Sequence, residues 1–136
     1  MASILKVDTI TGVSTAGSIA VTGEGNSTTT NLQQGLCKAW AAYGSSGTTF
    51  QNSFNFSSAT DNNNGDYTFT YTNAFSNNDA PSTVGFQSHT SGTQASIPSW
   101  ESRNSTTIRV NCFDDVKNAN GITDAAATVH TMGDLA

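Results

Sequence analysis

Alternation with a period of two runs through this chain: β-branched and aromatic side chains take turns with Ser, Thr and Asn over short stretches, and turn-forming residues separate the stretches. Successive side chains of an extended strand point to opposite faces, so such stretches read as half-buried strands. No helical stripe of apolar residues competes with this reading. Ser3 to Thr11 sets Leu5, Val7 and Thr9 on one side and Ile4, Lys6, Asp8 and Ile10 on the other. Ser18 to Thr22 places Ile19 and Val21 on one face, and Ser27 to Gln34 reads as a polar linker. From Leu36 the pattern strengthens. Leu36 to Tyr43 puts Leu36, Lys38, Trp40 and Ala42 on one face, and there Trp40 is expected to be core. Phe50 to Ser57 alternates through Phe50, Phe54 and Phe56, and Asp66 to Thr72 through Tyr67, Phe69 and Tyr71. Between them lies Asn64-Gly65, a pair that tolerates positive φ and predicts a hairpin.

Asn73 to Pro81 leads out of that hairpin, and Val84 to Ser88 is a further strand. Ser88 to Arg103 reads as a long connection carrying Trp100, a length that in a compact domain is usually functional or disordered. Ser105 to Phe113 turns Ile108, Val110 and Cys112 to one side, Asn120-Gly121 offers a second turn, and Ala125 to Met132 is the last strand. The sum predicts an all-β fold: a short N-terminal β arm with its linker over residues 1–35, then an antiparallel β-sandwich over 36–136.

Composition limits what such a fold does. Ser, Thr, Asn and Gln number 57 of 136 residues, while charged residues are 11% where about a quarter is usual. A net charge of -5 lacks the basic footprint of nucleic-acid binding. No apolar run has the length of a membrane span. The opening residues interrupt any apolar signal region with Lys6 and Asp8, so the chain is expected to be made and kept in a cytoplasm. Leu, Ile, Val and Phe total 24 residues, few for a small domain to bury, and the expectation is an oligomer that borrows apolar surface from its own copies. The alternative is a monomer with Ala, Thr and Cys filling its interior.

Residues for catalysis are scarce. Asp114 and Asp115 are adjacent and would point to opposite strand faces, unlike a glycosidase pair. Asp61, Asp66, Asp79 and Asp124 lie beside turns, where Asp commonly bonds its own backbone. His89 and His130 sit in no nucleophile motif, and two His with two Cys lack ligand spacing for zinc. No enzyme, cofactor or metal is therefore expected, and Cys37 and Cys112 are read as reduced, buried small side chains. Trp100 is the candidate contact for a receptor glycan or a subunit interface.

Two segments carry a resemblance. Lys38-Ala39-Trp40-Ala41-Ala42-Tyr43, then Ser53-Phe54-Asn55-Phe56-Ser57-Ser58 running through Asp61-Asn62 into Gly65-Asp66-Tyr67-Thr68, resembles a domain of bacteriophage tail fibres and related virion proteins of marine and cyanobacterial phages. The closing Gly133-Asp134 is similar to that family's end. The arm, Ile4-Leu5-Lys6-Val7-Asp8-Thr9-Ile10 with Ser14 to Ile19, is similar to the openings of fibre chains that attach to a virion. The resemblance implies a non-enzymatic virion component, normally a homotrimer. Ile4, Leu5, Val7, Ile10, Ile19 and Val21 are then the expected virion or subunit contacts. Expected partners are copies of the chain, other tail or capsid proteins and a host-surface glycan. The expectation is a short tail fibre in host attachment; the alternatives are a capsid decoration protein with the same module and a soluble carbohydrate-binding module.

Overall fold

The computed structural model describes residues 4–12, 19–22, 29–44, 48–88, 96–114, 124–133 and 135. The chain forms two compact units, Met1–Gly35 and Leu36–Ala136. In the first, β1 (Ala20–Thr22) pairs antiparallel with β2 (Thr29–Asn31). A single helical turn, α1 (Leu32–Gly35), follows, and the Leu32 N–H donates to the Ile19 carbonyl at 2.8 Å. The expected linker thus contains a strand and a turn of helix, because Thr29 to Asn31 finds hydrogen-bond partners that its polar composition did not announce. Residues 4–12 correct a second expectation: they form no strand. Alternation marks the sides of an extended segment, but a strand requires a ladder to a neighbour, and no described strand pairs with them.

The second unit contains two four-stranded antiparallel sheets. The first sheet is built from β3 (Cys37–Tyr43), β4 (Phe50–Phe54), β7 (Ser82–Ser88) and β10 (Ala126–Met132), in the order β4-β3-β10-β7. The second comprises β5 (Phe56–Asn63), β6 (Asp66–Tyr71), β8 (Ser96–Arg103) and β9 (Thr107–Asp114), in the order β5-β6-β9-β8. Both inner faces contribute to one buried core, as in a β-sandwich.

The two sheets bring different side chains to that core. The second supplies Phe56, Tyr67, Phe69 and Tyr71 with Ile108, Val110 and Cys112; the first supplies Ala39, Ala41, Tyr43, Ala127, Val129 and Thr131. Phe69 is the hub, its ring centroid 4.7 Å from Tyr43, 5.4 Å from Phe50 and 6.0 Å from Phe56. Rings are bulky, so alanines opposite them let the sheets close without voids. The core of this unit is therefore filled within one chain. Ala39, Ala41, Ala127, Thr131 and Cys112 lie in this interior beside the rings.

The passage from first sheet to second takes one residue. Asn55 has φ of 60°, a left-handed conformation that Asn tolerates better than most residues. The single predicted strand over Phe50 to Ser57 is thereby broken into β4 and β5: Phe54 points outward and Phe56 inward. The buried Asn55 side chain holds the corner. Its Oδ1 accepts from the Asn73 N–H at 2.7 Å and from Asn73 Nδ2 at 3.2 Å, and its Nδ2 donates to the Asn73 carbonyl at 3.1 Å. The Asn55 carbonyl accepts from the Thr72 N–H at 3.0 Å.

The hairpin between β5 and β6 turns at Asn64-Gly65, with Gly65 at φ of 65°. Ser88 to Arg103, expected to be a loop, ends in β8, whose hydrogen bonds to β9 order a segment rich in Ser. The Asn120-Gly121 turn lies outside the described residues.

Asn55→Ala removes both the left-handed tolerance and the clamp on Asn73, and is expected to destabilise the fold by about 2–4 kcal/mol. Asn55→Gly restores the backbone freedom alone and is expected to lose less. Denaturant unfolding of both variants checks the order.

Candidate functional site

The outward faces of the two sheets differ in kind. On the second sheet, Thr68, Thr70, Thr107, Arg109 and Asn111 alternate with the core positions of β6 and β9. Asp66 accepts from Arg109 Nε at 2.8 Å and from Asn62 Nδ2 at 3.1 Å. Arg109 Nε also lies 3.1 Å from Glu101 Oε2, which accepts from Asn111 Nδ2 at 3.0 Å. Arg109's hydrogen bonds hold the Asp66 carboxyl below its ordinary value of 3.8, against the opposing effect of burial. The network is a charge lattice across β6, β9 and β8, in which Asn111 Oδ1 is buried without a hydrogen-bond partner.

The first sheet presents rings instead. Ala39, Ala41 and Tyr43 face the core, so Lys38, Trp40 and Ala42 face outward. This corrects the expectation that Trp40 is core: its alternation partners face away from the second sheet, and a period of two does not say which face is inside. Register places Trp40 beside Phe54 on β4 and beside His130 on β10, and His130 beside Thr83 on β7. Phe54 is 52% exposed and Trp40 is half-buried. Among the described residues, the ring-to-ring contacts are interior and include neither of them. The next row pairs Asn52 with Ala42, Ala42 with Thr128, and Thr128 with Gly85. A Cβ at Gly85 would meet Thr128 Oγ1 at 2.9 Å, so this row stays low.

Trp100 lies on β8, the outer strand of the second sheet, and not in a loop. It pairs with Val110, is 42% exposed, and carries the Arg103 guanidinium 4.8 Å from its ring centroid. Arg103 Nε donates to the Asn78 carbonyl at 3.0 Å, which fixes the cation over the ring. Pro98 and the register shift between Trp100 and Ser102 blunt this edge against a further strand. The expected contacts of the first unit are open: Ile4, Leu5, Val7, Ile10 and Val21 are 53% to 80% exposed. Ile19 is half-buried.

The hydroxyls of the buried tyrosines Tyr43, Tyr67 and Tyr71 are paired. Asp124 Oδ1 accepts from the Tyr67 hydroxyl at 2.6 Å and from the Gly65 N–H at 2.7 Å, locking the β5–β6 turn. Asp124 thus bonds partners remote in sequence, and Asp66 bonds Arg109 as well as Asn62 of its own hairpin, which corrects the reading that these aspartates bond their own backbone. The Tyr43 hydroxyl lies 3.6 Å from Cys112 Sγ, and the Tyr71 hydroxyl 3.3 Å from Thr131 Oγ1. Burial raises the Tyr43, Tyr67 and Cys112 groups above their ordinary values. Both cysteines are free thiols, with Cys112 buried and Cys37 half-buried. Among the described residues no three His, Cys, Asp or Glu side chains gather as a metal site, and no helix is long and apolar enough to cross a membrane. His89 and Asp115 lie outside the described residues.

Comparison with family models, curated proteins and solved structures gives no match.

Two outcomes follow from this geometry. Because Asp66 has its affinity for protons lowered by folding, the unfolded chain takes up the proton first on acidification, and stability falls as pH drops through 3.8 and below. Asp66→Asn is expected to flatten that acid limb in urea unfolding at stepped pH, modestly, since Arg109 is 41% exposed and its pairing is screened. In the native protein a thiol reagent is expected to modify Cys37 quickly and Cys112 only on unfolding, read by mass spectrometry.

Proposed function

We propose that the chain is a non-enzymatic structural protein of a bacteriophage virion, a short tail fibre or part of one. Residues 1–35 attach it, and the sandwich of residues 36–136 projects outward and takes part in host attachment. One observation supports this reading most. The sandwich closes its own core, whereas Ile4, Leu5, Val7, Ile10 and Val21 stand exposed in the first unit. Apolar side chains repeated along a short segment cost free energy in water until another surface covers them, so this segment is built for an assembled state. Matching segments of three copies, or a groove on another virion protein, supply such a surface. The resemblance of Lys38 to Tyr43 and Ser53 to Thr68 to tail-fibre domains supplies the virion context.

The test is the mass of the purified protein. Light scattering at micromolar concentration is expected to give a homotrimer, about three times 14.1 kDa, and Leu5→Ser with Ile10→Ser is expected to lower the association without unfolding the sandwich. A monomer with no partner on the particle would overturn the reading. Gold-labelled antibody on intact particles separates a position on the tail from one on the capsid, the latter marking a decoration protein.

A further inference from the structure

The ring-bearing face of the first sheet lies outside the core. Phe54, Trp40 and His130 stand side by side on three adjacent strands. At about 4.8 Å between strands the row is about 10 Å long, the length of about two linked sugar rings. Thr83 ends the row at β7, Asn52 and Thr128 border it along the low row, and Lys38 lies on the same face two residues before Trp40.

We propose that this face binds an acidic saccharide chain. The C–H faces of pyranose rings are apolar and settle on Trp40 and Phe54, while Asn52, Thr83, Thr128 and the His130 ring offer hydrogen bonds to hydroxyls. Lys38 takes the carboxylate. Charge selects this ligand: the chain carries 10 Asp and Glu against 5 Lys and Arg, yet the outward positions of β3, β4 and β10 hold Lys38 and no acid. A nucleic acid demands several cations. Area argues against a second copy, because four strands by about five residues cover on the order of 300 Å², less than the roughly 800 Å² per partner of a stable interface.

The inference rests on the attachment part of the proposed function and names its surface. The full chain carrying Trp100→Phe, so that Trp40 is the sole reporter, is titrated with tetragalacturonate and with neutral maltotetraose. Tryptophan fluorescence is expected to change saturably with the uronate, at an affinity about tenfold or more above that for maltotetraose. Lys38→Gln is expected to abolish the preference, and Phe54→Ala to weaken both; both side chains lie on the outer face, and circular dichroism confirms that each variant folds. No response to either sugar, an undiminished uronate preference in Lys38→Gln, or a Trp40 shielded from acrylamide only while the protein is associated, overturns the proposal; the last makes the face a subunit interface. A trimer that binds no uronate removes this inference and leaves the virion reading standing, and a monomer that binds it does the reverse.

Discussion

Large rings on one sheet facing alanines on the other hold this fold together. Phe56, Tyr67, Phe69 and Tyr71 project from the second sheet into the space that Ala39, Ala41 and Ala127 leave on the first. Tyr43 and the partly buried Phe50 are the rings the first sheet adds, and both lie against Phe69. A ring buries more surface than an aliphatic side chain, so a few of them replace the leucines that the chain lacks. Tight closure follows only because the opposing residues are small. The same choice requires partners for the tyrosine hydroxyls, and each finds one: Cys112 for Tyr43, Asp124 for Tyr67 and Thr131 for Tyr71.

Asn55 converts this packing into two distinct surfaces. Its left-handed backbone carries the chain between sheets in a single step, and so inverts the face on which the next aromatic lands. Phe56 is delivered to the core and Phe54 to solvent beside Trp40. On the opposite side of the sandwich, Asp66, Arg109, Glu101 and Asn111 are linked in one network. The sandwich therefore has one outer face crossed by a charge network and one that carries the rings of Phe54 and Trp40.

Much of the second unit was legible in the residues. Tyr67, Phe69 and Tyr71 sharing a face, Ile108, Val110 and Cys112 sharing another, and the reversal at Asn64-Gly65 are all local consequences of strand periodicity and of the turn preference of Asn-Gly. Residues 4–12 and Trp100 were not legible in the same way. Strand formation depends on a neighbour's hydrogen bonds as much as on the segment's own pattern, so the well-alternating residues 4–12 form no strand while the Ser-rich residues before Arg103 do.

Trp40 marks the division most clearly. Alternation determined that Trp40 lies on the same face as Lys38 and Ala42 and opposite to Ala39, Ala41 and Tyr43. Which of those faces is interior was decided by the second sheet, whose phenylalanine and tyrosine rings pack against the alanine face. The sequence by itself determined which side chains share a face along each strand, because that depends on neighbours one or two residues away. The tertiary structure alone decided which face meets water, because that depends on the volume of side chains brought from the other sheet.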